Sequence, residues 1–147
     1  MTDRFERFSF ITAEIHRLIY KLSSDVMAEF GLKGAHAIYL LTLQRYPKGV
    51  TSSRLSEFCF RNRSDTSRAM NIFLDAGLII KKGENKSYRA PLVLTEKGLR
   101  YATLLREKSE IALSRIGDCI PEKKRANLYE SLEIISKNLK EITKSDL

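Results

Sequence analysis

The chain has 147 residues, of which 43% are apolar and 30% are charged, a composition typical of a globular domain. Its 26 Lys and Arg outnumber 18 Asp and Glu, which gives a formal net charge of +8. This balance favours nucleic acid or an anionic surface as a partner. No apolar run is long enough to span a membrane and no signal peptide opens the chain, so we expect a cytoplasmic protein. Two cysteines are too few for a disulfide scaffold.

The first third of the chain predicts two helices. Apolar side chains recur at steps of three and four from Phe5 to Val26, so a long amphipathic helix is expected over residues 5–30, with Gly31 as its stop. Residues 33–45 predict a second helix that is apolar on most sides and therefore buried.

Two short helices follow, separated by a tight turn. Thr51 or Ser52 caps the first of them, over about 52–59. Asn62 caps the second, over 62–76, and Asp65 three positions later predicts a capping box that engages backbone N–H groups. This pair of helices is typical of a helix-turn-helix.

The remainder predicts a hairpin and two long helices. Strands are expected over 78–82 and 87–94, and Pro91 predicts an edge position for the second strand. Thr95 caps a helix that ends near Gly117. The last helix carries a heptad-like seam, typical of a helix that packs on another helix: Leu128, Leu132, Ile135, Leu139 and Ile142.

The helix over 62–76 has an apolar face and a polar face. Its polar side chains are of the types that contact base edges and phosphates in a major groove, and its positive N-terminal end favours phosphate. An alternative for the Asp65 carboxylate is to accept a hydrogen bond from cytosine N4. The predicted DNA-binding residues on this helix are Asn62, Arg63, Ser64, Asp65, Ser67, Arg68 and Asn71.

Several motifs of the chain resemble those of the MarR family of winged helix-turn-helix transcriptional regulators. The matches are Leu55-Ser56-Glu57, Asn62-Arg63-Ser64-Asp65-Thr66-Ser67-Arg68, Leu74-Asp75-Ala76-Gly77-Leu78-Ile79 and Leu94-Thr95-Glu96-Lys97-Gly98. The resemblance covers almost the whole chain. It implies a mainly α fold with a small β-hairpin wing (α+β).

The resemblance also implies a division of the chain. Residues 1–147 would form a single MarR-like domain, in which 33–98 is the winged DNA-binding lobe. Residues 1–30 and 99–147 would be dimerisation helices. The family wing usually carries an Asp-x-Arg step, which this chain lacks. We therefore predict Lys86, Ser87 and Arg89 as the wing contacts.

The family likeness further implies a homodimer on a pseudo-palindromic DNA operator. Dimers also solve a general difficulty, since a single helix-turn-helix covers few base pairs. Family members often bind small aromatic effectors beside the DNA-binding lobe. The residues predicted to line such a pocket are Tyr20, Phe30, His36 and Tyr39, although aromatic side chains at helical spacing are more often core.

The predicted function is a dimeric, sequence-specific transcriptional regulator, a repressor relieved by a small-molecule effector. One alternative is a winged-helix protein–protein adaptor that does not bind DNA. A small basic enzyme is disfavoured because no catalytic constellation stands out. His16 and His36 make a poor ligand set, so no metal or other cofactor is predicted. Cys59 is expected to be a packing residue, with redox activity left open.

Overall fold

The computed structural model describes residues 3–83 and 89–144. Lys86 and Ser87, two predicted wing contacts, lie outside this range. The predicted fold class, mainly α with a small hairpin, is confirmed. In the described part of the chain the elements are α1 (Arg4–Ala28), a 3₁₀ turn (Gly34–His36), α2 (Ala37–Arg45), α3 (Ser52–Phe58), α4 (Arg63–Asp75), β1 (Ile79–Lys81), β2 (Leu92–Leu94), α5 (Glu96–Gly117) and α6 (Glu122–Ile142).

The chain forms two compact units, residues 1–109 and 110–147. The first unit has a hydrophobic core to which α1, α2, α3, α4, the hairpin and the start of α5 all contribute. Met27, near the end of α1, is fully buried in that core, so α1 is anchored to the elements predicted to form the DNA-binding lobe. The largest fully buried side chains are Phe73, Met27, Leu40, Leu43, Leu55, Leu78, Ile79 and Leu105.

The hairpin is short and antiparallel. Ile79 pairs with Leu94, and Lys81 pairs with Leu92. Leu92 is also bridged to Val50 on its other side, with N···O distances of 2.9 and 3.1 Å. In the described residues the sheet has two strands, so β2 lies at an edge as predicted, and Val50 joins it only through this isolated bridge. Pro91 is tolerated because it precedes β2 and offers only its carbonyl, which accepts from Lys82 N at 2.7 Å.

Three predicted helix caps are confirmed. The Thr51 hydroxyl accepts from Arg54 N at 3.3 Å, and the Asn62 side-chain oxygen accepts from Asp65 N at 2.7 Å. Thr95 Oγ1 accepts from Gly98 N at 3.1 Å. Each of these satisfies a backbone donor that has no partner within its own helix.

In the second unit, α6 buries none of its side chains. Its apolar seam is present as predicted, but Leu128, Leu132 and Leu139 are each between 44% and 48% exposed. No helix in the described residues is long and apolar enough to cross a membrane.

Candidate nucleic-acid interface

A tight turn sets the direction in which α4 leaves α3. Phe60 N donates to Glu57 O at 3.2 Å and Arg61 N donates to Ser56 O at 2.9 Å, the hydrogen-bond pair of a Schellman motif. Phe60 takes the left-handed conformation that this motif requires, with φ 53°. The chain is thereby turned within four residues, and α4 begins at Arg63.

The inner face of α4 is fixed in the core. Thr66 and Phe73 are fully buried, and Ala69 and Met70 are 3% exposed. Thr66 Oγ1 donates to Asn62 O at 3.0 Å, so its single proton is used. The Tyr39 hydroxyl, 3.1 Å from Thr66 Oγ1, must then be the donor of that second bond. This buried relay ties α2 to the first turn of α4.

The C-terminal end of α4 is held by the segment that precedes and begins α5. Thr95 Oγ1 donates to Gly77 O at 2.6 Å, and Lys97 Nζ donates to Ala76 O at 2.9 Å. A cation at this end also interacts favourably with the helix dipole. Sequence reasoning used Thr95 as the cap of α5 and Lys97 only as a mark of the family resemblance, and it missed that both position α4.

The outer face of α4 carries most of the predicted DNA contacts. Arg63, Ser64, Arg68 and Asn71 are exposed, and Ser67 is half-buried. The Arg68 side chain is 71% exposed. Together these side chains form a polar surface with two cations over the first two and a half turns of α4, and the opposite face of the helix is buried.

Asp65 lies within this surface and is engaged by side chains. Its carboxylate accepts from Asn62 Nδ2 at 2.8 Å and from Arg68 Nη2. The hydrogen bond from Arg68 is the largest cause that lowers the pKa of Asp65. The predicted reciprocal capping to backbone N–H is thus replaced on the Asp65 side by a bond from the Asn62 amide, because an Asp side chain is shorter than the Glu of a capping box. Both side-chain polar atoms of Asn62 are therefore engaged: Oδ1 caps the helix and Nδ2 donates to Asp65.

The wing is described only at its base. Arg89, a predicted wing contact, is exposed beside the buried Ala90. Lys82 is also exposed, just beyond the end of β1. Both cations therefore flank the wing loop.

A cleft of about 400 Å³ lies against α4. Three cationic side chains line it, Lys33, Arg61 and Arg68, together with Asp65 and an apolar floor that includes Ile72. Sequence reasoning did not assign Arg61 to the DNA-binding surface. Its position immediately before the Asn62 cap, at the positive end of α4, was the available signal.

The predicted effector residues are divided among three places. His36 and Tyr39 line the cleft against α4. Tyr20 lines a second cleft of about 450 Å³, whose other residues include Ile19 and Phe60. Phe30 stacks on Tyr101 with ring centroids 4.1 Å apart. His36, at the end of the 3₁₀ turn, and Tyr39, on α2, pack edge-on against Phe73 of α4. A shared effector pocket stays a prediction.

His36 and Cys59 are both integrated into the packing. His36 Nδ1 accepts from Lys33 N at 3.3 Å, and burial together with the Lys33 charge lowers the pKa of His36. The Cys59 thiol is 2% exposed and lies 3.4 Å from Thr42 Oγ1, and burial raises its pKa. A buried thiol of raised pKa matches the predicted packing role. Among the described residues, no group of three or more His, Cys, Asp and Glu side chains is placed to hold a metal ion.

Solved structures share this architecture over nearly the whole chain. A MarR transcriptional regulator from Methanosarcina mazei is 20% identical with a TM-score of 0.82, covering 93% of this chain and 99% of its own. A MarR-family regulator from Listeria monocytogenes, complexed with 26mer DNA, is 23% identical with a TM-score of 0.78, covering 100% and 98%. A MarR-family protein from Mycobacterium tuberculosis, in complex with salicylic acid, is 17% identical with a TM-score of 0.66, covering 92% and 97%. No protein-family model and no curated protein matches the sequence.

The fold and the α4 surface define a winged helix-turn-helix protein. More particularly, the fold is that of MarR-family transcriptional regulators, which confirms the likeness predicted from the sequence motifs.

Proposed function

We propose that this protein is a homodimeric, sequence-specific DNA-binding transcriptional regulator that acts as a repressor in the cytoplasm. The observation that carries the proposal is the outer face of α4, where Arg63, Ser64, Arg68 and Asn71 are exposed while the inner face is buried. A rigidly held helix of this kind is suited to a major groove, where its side chains reach base edges. The Listeria regulator of the same fold, solved with 26mer DNA, supports this use of the fold.

The charge around α4 suits a polyanionic partner. Arg61 and Arg63 lie at the N-terminal end, where the helix dipole adds positive potential, and Arg68 follows in the second turn. Arg89 and Lys82 flank the wing, and we assign them, with Lys86 and Ser87, to the flanking backbone or minor groove. Residues 51–98 contain nine Lys and Arg and five Asp and Glu, so the winged region supplies half of the net charge of +8.

The dimer is supported by apolar surface that each unit leaves exposed. On α1 these side chains are Phe5, Phe8, Ile11, Ile15, Leu18, Ile19 and Leu22, all at least 40% exposed. On α6 they include Leu128, Leu132 and Leu139. Apolar patches of this extent are unusual on monomers and mark association surfaces. We propose that 1–30 and 99–147 contribute this interface and that 33–98 contributes the DNA-binding lobe.

Relief by a small effector is a separate part of the proposal. It is favoured by the cleft that contains Tyr20, Ile19 and Phe60, since an apolar lining with a few polar groups suits a small aromatic molecule. The Mycobacterium protein of the same fold, solved with salicylic acid, supports the same class of ligand. Titration of salicylate into the protein–DNA complex tests it, and unchanged DNA affinity at millimolar salicylate would contradict this part alone.

Selection of bound duplexes from a random pool tests the central proposal. We expect a two-fold symmetric consensus and an affinity that falls steeply with salt. Arg68→Ala should cost about 1–3 kcal/mol on the consensus and relax preference at one base pair per half-site. Lys86→Ala should weaken binding to all duplexes alike. Arg45→Ala, at the exposed end of α2, serves as the matched arginine control and should bind as the wild type does.

The alternative function is a protein–protein adaptor, which makes the opposite prediction. An adaptor gives no enriched duplex and no salt-dependent shift, and its Ser64 and Arg68 variants treat DNA as the wild type does. That outcome would overturn the regulator proposal.

A further inference from the structure

The Asp65 carboxylate is placed where a DNA-binding surface would ordinarily exclude one. It lies in the first turn of α4, between exposed Arg63 and Arg68 in the sequence, with its side chain 45% exposed. A lone carboxylate here would be repelled by phosphate, so its presence in this cationic surface requires a reason.

Two contacts fix the carboxylate. One oxygen accepts from Asn62 Nδ2 at 2.8 Å, and the other accepts from Arg68 Nη2. Asn62 is in turn fixed as the cap of α4, because its side-chain oxygen accepts from Asp65 N at 2.7 Å. The chain of bonds from Asn62 through Asp65 to Arg68 therefore starts at the rigid end of the helix and ends at the guanidinium.

We propose that Asp65 is a specificity-determining residue, which holds Arg68 in the orientation that reads a guanine and suppresses its use as a general phosphate contact. This inference rests on the proposed function. The Arg68 guanidinium has N–H donors beyond the one that Asp65 accepts from, and the side chain is 71% exposed. One edge of the guanidinium is therefore available to guanine O6 and N7. A flexible arginine loses side-chain entropy when it binds a base, and an arginine already held loses less.

The negative charge of Asp65 also weakens the attraction of Arg68 to phosphate. Asp65 neutralises Arg68 locally, so the pair gains less from phosphate than a free arginine would. Hydrogen bonding to a base edge depends on geometry and survives this neutralisation. Asp65 therefore lowers affinity for all DNA and raises the ratio of specific to non-specific binding.

The test compares Asp65→Asn with wild type on the selected consensus and on an unrelated duplex, over a series of salt concentrations. We expect tighter binding to the unrelated duplex, a salt slope steeper by about one, and a specificity ratio lower by about tenfold. Asp75→Asn, which removes the same charge from the exposed C-terminal end of α4, is the matched control and should leave the ratio unchanged. A ratio that is unchanged or higher in Asp65→Asn overturns the inference.

A double-mutant comparison separates positioning from helix capping. In an Arg68→Ala background, Asp65→Asn should no longer alter the specificity ratio, because the residue acts through Arg68. If the ratio falls equally in both backgrounds, or if the base pair affected differs from that affected by Arg68→Ala, the positioning role is wrong. Wild-type protein that binds no duplex would instead refute the regulator proposal, so the two failures are distinguishable.

Discussion

Gly98 lies directly against the carbonyl group of Leu78, where a Cβ built on the glycine would be 2.0 Å from the carbonyl oxygen. The same oxygen accepts a hydrogen bond from Thr95 N at 2.9 Å. The start of α5 is thereby pressed against the residue that links α4 to β1. This contact explains why a glycine follows Leu94-Thr95-Glu96-Lys97. A side chain at position 98 would not fit between the backbone of α5 and the backbone of Leu78.

Gly98→Ala should therefore destabilise the protein. Because both partners are backbone, relief requires α5 to move, and we expect a loss of about 3 kcal/mol in the free energy of unfolding. Gly117→Ala, in the same helix, is the matched control. Its Cβ would approach only the flexible end of Arg125, at 3.2 Å, so it should be neutral or slightly stabilising. Urea unfolding measures both, and equal effects would contradict the close-contact explanation.

Phe60 and Gly77 occupy the same position in two Schellman motifs, with φ values of 53° and 68°. Only the glycine adopts this conformation without strain. Phe60→Gly should raise the free energy of unfolding by about 1 kcal/mol. Gly77→Ala should lower it by a similar amount, although a Cβ there would meet nothing within 4 Å. Thermal or urea unfolding tests the pair, and a destabilised Phe60→Gly would show that contacts of the ring outweigh the strain.

Local signals predicted the helices well. Three helix caps are formed by short polar residues that directly precede a run of regularly spaced apolar residues: Thr51, Asn62 and Thr95. Such short-range patterns can be recognised in a sequence. Turn residues supplied the hairpin, and the helical period separated the polar face of α4 from its apolar face. Both the fold class and the exposure of Arg68 followed from these signals.

Contacts between distant residues could not be predicted in the same way. The isolated bridge between Val50 and Leu92 joins residues that are far apart in the sequence, and nothing local to either residue reveals it. Helical period shows that Tyr39 is apolar-facing but not that its hydroxyl meets Thr66, 27 residues away. The neighbours of Tyr20 and His36 likewise depend on how α1, α2 and α4 pack.

Stability should fall on mild acidification because of His36. Burial and the Lys33 charge lower the pKa of His36 below its ordinary value of 6.5, so the folded state favours the neutral ring. As the pH falls below about 6.5, the unfolded chain binds a proton that the folded chain resists, and stability is lost until the folded pKa is passed. Neutral Nδ1 is also required to accept from Lys33 N.

His36→Asn removes the titration while its side-chain oxygen keeps an acceptor near Lys33 N. We expect a smaller loss of stability between pH 7.5 and pH 5.5 in this variant than in the wild type, measured by urea unfolding. His16→Asn, an exposed position on α1, is the matched control and should retain the wild-type loss. An unchanged pH dependence in His36→Asn would contradict the assignment.

Association should depend on the apolar seam of α6. Leu132 is 44% exposed on a helix that buries none of its side chains, so a charge placed there costs the monomer little. The same charge within a dimer interface would be desolvated, and we expect Leu132→Glu to weaken the dimer by about a hundredfold. Asn138→Glu adds the same charge at an exposed polar position of α6 and is the matched control. Sedimentation equilibrium at micromolar protein distinguishes the two: the wild type and Asn138→Glu should remain dimers while Leu132→Glu dissociates. A wild type that sediments as a monomer would refute the dimer, and a dimeric Leu132→Glu would exclude this seam from the interface.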